Sequence, residues 1–191
     1  MMEISKKLNV SHNKIVYWMN QYNIQRRTRS EAVYKKHNPK GNPFRIKQIK
    51  NKKDFFIYGM GLGIYWGEGN KADKNSIRIG TSDPQMIIQF RYFLLYVCGV
   101  PISKFKYSLM CFKNSNISLA KKYWSKALKI KSKQLGKVTK IPPMGKGRYK
   151  KISNYGVCTI YVNNTKLKKW IMDELETLKY NKLLRRFSSV G

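Results

Sequence analysis

Acidic side chains are scarce in this chain of 191 residues: nine Asp and Glu stand against 40 Lys and Arg, giving a formal net charge of +31. A folded body carrying that much like charge repels itself and normally has a polyanion to bind. Nucleic acid is the first expectation and an anionic membrane surface the second. Histidine is nearly absent, with only His12 and His37, which excludes His-rich metal sites and leaves little for His-assisted nucleophiles. Cys98, Cys111 and Cys158 are odd in number, widely spaced and form no CxxC pair. Neither a disulfide framework nor a zinc ribbon is available, and a reducing cytoplasm is the expected location. No apolar run approaches the roughly 18–20 residues that span a bilayer, and the start, Met1 to Lys7, lacks the apolar stretch of a secretory signal. No membrane partner is expected. What the sequence does have is 42% hydrophobic residues, enough for a real core.

The positions of the acids narrow the reading. Between Asp83 and Asp173 there is none, whereas that stretch holds 19 Lys and Arg. A solvated surface usually intersperses acids for solubility, so a one-signed stretch with alternating apolar residues predicts a phosphate-binding face. Asp54 precedes an apolar helical run and is expected to cap it. Ser82-Asp83-Pro84 has the pattern of a cap followed by Pro in the first helical turn. Asp173, Glu174 and Glu176 fall in an amphipathic C-terminal helix among lysines. Glu68 has no such role, and its apolar, glycine-rich surroundings predict a buried stem.

Along the chain, residues 1–34 carry Ile4, Leu8, Val10, Ile15, Val16, Trp18 and Met19 at the spacing of two short helices about a turn. Ser11 would cap the second, over about His12 to Tyr22. This is the rhythm of a helix-turn-helix, whose second helix enters a major groove. It predicts Ser11, His12, Asn13, Lys14, Tyr17 and Gln21 as outward base or phosphate contacts; the bland alternative is a helical hairpin. Residues 35–53 are basic, acid-free and broken by Pro39, Gly41 and Pro43, the composition of a flexible linker. The remainder, 54–183, reads as one α+β domain with a tail at 184–191. Its expected elements are a helix over 54–66, a strand at 76–81, a helix over 84–98, a strand at 104–112, a helix over 117–129, strands near 134–140 and 156–162, and a helix over 164–183.

Gly59, Gly63 and Gly67 recur every fourth residue and so form a stripe on one helix face. Each costs a helix about 1 kcal/mol against alanine, which calls for close approach of a second helix. No other segment has a matching stripe, so the expected partner is the same helix of a second copy, about a two-fold axis. That pairing would bring two Glu68 carboxylates to one end of the helix pair. Phosphodiester hydrolysis uses Mg²⁺ held by carboxylates; two Glu68, with the carbonyl of Gly69 or Gly67, make an expected metal site. A dinucleotide-binding loop is the rival for the same glycines, but Gly61-x-Gly63 is followed by Trp66 where a third glycine is needed.

Gly61-Leu62-Gly63-Ile64-Tyr65-Trp66-Gly67-Glu68-Gly69 resembles the signature of LAGLIDADG homing endonucleases, in the variant ending Gly-Glu-Gly. Gly63, Gly67 and Gly69 match the family's small positions and Glu68 its last, metal-binding catalytic acid. The resemblance extends over about residues 54–183. It implies an α+β fold with a four-stranded antiparallel saddle and helices, the motif helix as dimer interface, and strands lying in the major groove of double-stranded DNA. A single motif implies a homodimer and a near-palindromic target. Gly61 and Leu62 replace the first Leu-Ala, Trp66 replaces the first Asp, and the helix 84–98 interrupts the first strand pair.

The expected function is therefore a site-specific DNA endonuclease. Glu68 would hold metal. Lys71 would stabilise the transition state, with Lys74 near it. Arg78, Lys104, Lys106, Lys137 and Lys140 would contact DNA from the strands, and the loop carrying Lys146, Arg148, Lys150 and Lys151 would grip the backbone. Two alternatives share the fold: a DNA-binding regulator that has lost cleavage, and an RNA-binding maturase.

Overall fold

The computed structural model describes residues 2–113, 115–142 and 154–179. Lys146, Arg148, Lys150 and Lys151 lie outside the described residues, as do 180–183 of the expected last helix and the tail. The chain divides into two units, at Pro43/Phe44, rather than into a helical unit ending at 34, a linker over 35–53 and a domain from 54.

The first unit is three short helices: α1 (Met2–Leu8), α2 (His12–Gln21) and α3 (Arg29–His37). Ser11 caps α2 as expected, accepting from the Lys14 amide. Thr28 and Glu31 form a reciprocal capping box at the start of α3, which satisfies two otherwise orphaned amides. Helix α3 runs into the segment expected to be linker, because that box starts it at Arg29. Ile15 is the sole buried apolar side chain among the unit's described residues.

The second unit opens with residues 44–50, which are no flexible linker. Phe44, Ile46 and Ile49 pack on the core, and the amides of Arg45 and Lys47 donate to the carbonyls of Cys98 and Val97 at 3.2 and 2.8 Å. Apolar side chains interleaved with the lysines hold the segment down. Gly99 makes the approach possible: its φ is +61°, and a Cβ there would sit 2.5 Å from the Arg45 carbonyl oxygen.

Helix α4 (Lys52–Glu68) starts two residues earlier than expected, and Asn51, not Asp54, caps it. Asp54 instead lies fully buried, with the Lys47 ammonium 2.7 Å away and the Tyr96 hydroxyl donating at 3.0 Å. Strand β1 (Ser76–Thr81) follows, then α5 (Pro84–Tyr96), capped by Asp83 with Pro84 in its first turn as expected. Strand β2 (Lys106–Phe112), α6 (Ile117–Leu128), β3 (Leu135–Ile141), β4 (Val157–Asn163) and α7 (Thr165–Lys179) complete the described chain.

The fold is α+β, with a four-stranded sheet in the order β1-β4-β2-β3. It is mixed rather than antiparallel: β4 pairs antiparallel with β1 and with β2, but β3 runs parallel to β2 with a bulge between Tyr107 and Leu109. Alternation along the strands puts Ile77, Ile79, Tyr107, Leu109, Cys111, Cys158, Ile160 and Val162 on one buried face. There they meet Leu62 and Tyr65 of α4, Phe90 and Phe93 of α5, Trp124 and Leu128 of α6, and Leu167 and Ile171 of α7 in one core. The helices α4 to α7 thus cover one face of the sheet.

Candidate nucleic-acid and metal site

The open face of the sheet follows from its register. Arg78, Tyr161 and Lys106 lie side by side across β1, β4 and β2; Gly80, Thr159 and Ser108 form the next row, and Val157, Met110 and Thr139 a third that reaches β3. The Arg78 guanidinium sits 5.6 Å from the Tyr161 ring centroid, consistent with one shared face. Lys137 alternates with the inward-turned Val138 and joins this face. Of the five strand residues expected to contact DNA, Arg78, Lys106 and Lys137 are brought together. Lys104 is not on a strand but in a 3-10 turn over Ile102–Lys104. Lys140 registers with the buried Cys111 and so belongs to the other side of the β3 edge.

Glu68 is the last residue of α4 and is exposed; its stem is not buried, because Leu62 and Tyr65 fill the inward side of the final turns. The chain beyond it is held firmly. The Gly69 amide donates to the Tyr65 carbonyl at 2.9 Å, the Asn70 amide to the Arg78 carbonyl at 3.0 Å, and Gly69 bridges to Ile79. Gly69 is required here: a Cβ would fall 2.5 Å from the Tyr65 ring. Lys71, expected beside the reacting phosphate, donates from Nζ to the Trp66 carbonyl at 2.5 Å, placing a cation on the negative end of the helix dipole. Lys74 is exposed in the same loop, and Asp73 pairs with Arg78 at 3.3 Å.

The three glycines of the stripe face open space: a Cβ on Gly59, Gly63 or Gly67 would meet nothing within 4 Å. Phe56 (66% exposed) and Trp66 (47%) flank them, so α4 presents an apolar, narrow-backed face that no other described residue of its own unit covers. Gly61, outside the stripe, serves packing within the unit; its Cβ would come within 2.0 Å of the Phe93 ring.

Lys168 carries a role that composition did not reveal. It is 3% exposed, and its Nζ donates to the Tyr65 hydroxyl at 2.5 Å and to the Asn70 carbonyl at 2.6 Å. Among the described residues no carboxylate pairs with it; burial pushes its pKa down, with Asp73 acting in the opposite direction and Lys71 adding to the depression. Lys168 therefore braces the turn that carries Glu68. The signal was present in the sequence: Lys168, Ile171 and Leu175 stand at i, i+3 and i+7, on the apolar face of α7.

No protein-family model, curated protein or solved structure matches the chain.

Among the described residues no three His, Cys, Asp or Glu side chains converge on a point that could hold a metal ion. At the end of α4 the chain offers the exposed Glu68 carboxylate and main-chain carbonyls beside it. In the first unit, Ser11, His12, Asn13, Lys14, Tyr17 and Gln21 are all exposed. In a unit whose described residues bury only Ile15 exposure does not single them out, and two are engaged locally: Ser11 in its cap, Lys14 over the Trp18 ring at 5.2 Å.

Proposed function

We propose that this protein is a site-specific double-stranded DNA endonuclease of the LAGLIDADG type, acting as a homodimer with Mg²⁺. The observation that carries the reading is the exposed Glu68 at the end of a helix whose glycine stripe lies open, next to a sheet face bearing Arg78, Lys106 and Lys137. Uncovered glycines with Phe56 and Trp66 beside them suit close helix–helix contact, and the partner of matching shape is a second α4. Two copies joined there set two Glu68 at one end of the pair.

The donor set fits Mg²⁺ in that arrangement. The ion keeps several waters and binds through one or two carboxylates plus substrate phosphates rather than in an all-protein cage. Glu68 of each copy, with the Gly69 carbonyl, would hold it. Bound there, it would supply Lewis-acid polarisation of the scissile phosphate and a more acidic attacking water. Lys168 and Tyr65 fix the turn that orients Glu68. Arg78, Lys106 and Lys137 neutralise phosphates and set the register of the duplex on the sheet.

The test is incubation of the protein with Mg²⁺ and a randomised duplex library, followed by sequencing of the ends. Cleavage at a near-palindromic site, lost in Glu68→Gln with duplex affinity kept, is the expected result. One observation favours a second reading, a DNA-binding regulator without cleavage: Lys71 is committed to the Trp66 carbonyl rather than directed beyond the acid. Binding without nicking, unchanged by Glu68→Gln, selects the regulator. Preference for structured RNA over duplex DNA at equal salt selects a maturase.

A further inference from the structure

Helix α6 carries a basic surface that the proposed sheet–DNA contact does not use. Ala120, Trp124 and Leu128 are fully buried. Ser118, Lys122 and Lys126 are exposed and recur at the same four-residue interval, two positions out of step, which puts them on the opposite side of the helix. Since α6 packs its buried side on the inner face of the sheet, these lysines look outward from the helical layer. The sheet's open face, with Arg78, Lys106 and Lys137, looks the other way. Lys129, Lys131 and Lys133 follow directly after the helix, all exposed. The helix stops at Lys129, which takes the left-handed conformation at φ 52°.

Two features separate this ridge from an ordinary solvated face. Six lysines occupy positions 121–133 with no acid between Asp83 and Asp173, and none of the six belongs to an ion pair among the described residues. Ser118, Ser125 and Ser132 line a shallow groove with Lys121, Lys122 and Lys126, placing hydroxyl groups beside the ammonium groups, the mixture that grips phosphate oxygens. Lys122 and Lys126 are about 6 Å apart along the helix axis, near two rises of about 3.4 Å along one nucleic-acid strand. A protein partner fits poorly, because Lys is depleted from protein interfaces. A membrane surface fits poorly too, since lying in one needs an apolar stripe, whereas Leu119 is the one large apolar side chain exposed on α6, beside Ser118, Lys122 and Lys126.

We infer that the α6 ridge is a second nucleic-acid-binding surface, which holds the phosphate backbone of a second duplex while the sheet engages the first. The inference rests on the sheet face being a duplex site and goes beyond it: the domain would join two DNA segments. It does not depend on metal or on cleavage.

The experiment uses the full chain without Mg²⁺. A biotinylated 30-base-pair duplex on beads is saturated with protein, and capture of a fluorescent second duplex is measured, alongside first-duplex affinity against salt. Lys122→Gln/Lys126→Gln/Lys129→Gln, all at exposed positions, is compared with Arg78→Gln/Lys106→Gln. The expected result is at least tenfold loss of second-duplex capture in the α6 variant, with first-duplex affinity within about threefold of wild type. Failure of the wild type to capture a second duplex, or equal capture by the α6 variant, overturns the inference. If the α6 variant loses first-duplex binding and the sheet variant keeps it, the ridge is the sole duplex site; the two-duplex inference and the sheet reading then both fail. Loss of first-duplex affinity in the sheet variant alone, with capture unchanged in the α6 variant, leaves the sheet reading standing and removes only this inference. Capture of an acidic protein but not of DNA by the ridge also overturns it.

Discussion

The two units of this protein are both basic and both rich in helices, yet they are stabilised in different ways. Among its described residues the first buries one apolar side chain, Ile15 of α2, and leaves Tyr17, Tyr22, Ile24 and Met2 more than half exposed. The second gathers Trp124, Tyr65, Phe90 and Phe93 with side chains from every helix and strand that follows residue 52. Capping, present in both, supplies on the order of 1 kcal/mol per helix, and helices under about 12–15 residues are marginal alone. Local signals start helices in the first unit; burial holds the second together. What separates them is a covered interior, not helical content.

Removing one tryptophan from each unit tests this difference directly. Trp124 is fully buried and donates its indole N–H to the Tyr155 carbonyl at 2.9 Å, so Trp124→Ala is expected to cost about 3–5 kcal/mol. Trp18 is 37% exposed and meets the Lys14 ammonium at 5.2 Å. Trp18→Ala is expected to cost about 0.5–1 kcal/mol, the worth of an exposed cation–π contact. Urea denaturation followed by far-ultraviolet circular dichroism measures both; equal losses would show that the first unit has an interior of its own.

A finer comparison lies on α4, where two glycines two residues apart face opposite environments. At Gly61 a Cβ would meet Phe93 ring atoms at 2.0 and 2.3 Å, and Phe93 is fully buried. Overpacking there is expected to lower stability by about 1–3 kcal/mol in Gly61→Ala. At Gly63 the space is open, so Gly63→Ala is expected to stabilise the protomer by about 0.4–1 kcal/mol. The proposed homodimer sharpens this into opposite signs at one position: Gly63→Ala makes the protomer more stable and the dimer weaker, read by denaturation and by sedimentation equilibrium. A variant that gains stability without losing self-association removes the stripe from the interface.

Much of this fold was legible because periodicity reports which side of an element is buried. The strand expected at 76–81 spans Ser76–Thr81, and the helix expected at 84–98 spans Pro84–Tyr96. Alternation does not report which strand lies beside which, so the parallel pairing of β3 with β2 was illegible: Leu135 and Val138 would suit either direction. Composition misled at 44–50, where lysine and broken helix signals outweighed Phe44, Ile46 and Ile49. At the candidate site, Glu68 stood out as a carboxylate without a structural duty. Lys168 was lost among lysines, since charge counting cannot tell a solvated ammonium from one sealed against Tyr65. Its place before an apolar run suggests Asp54 as a cap, but Asn51, three residues nearer the chain start, takes that role.

Asp54 and Lys168 contribute more modest changes, and their pH windows are opposite. The Lys47 ammonium beside Asp54, helped by the Lys50 amide and the Tyr96 hydroxyl, holds its carboxyl below the usual carboxylate range even though burial acts the other way. A depressed carboxyl binds fewer protons folded than unfolded, so its stabilisation is complete above the ordinary value near 3.8 and is lost as pH falls through the lowered one. Lys168 is also depressed, by burial, but as a base. The folded state then binds fewer protons between the lowered value and 10.5, so stability rises with pH across that alkaline window. Asp54→Asn is expected to flatten the acid limb of a stability–pH curve and leave the alkaline limb intact; Lys168→Met is expected to do the reverse. Urea midpoints from pH 2 to pH 10 measure both. An alkaline limb that persists unchanged in Lys168→Met would mean that another group, and not the brace behind Glu68, titrates there.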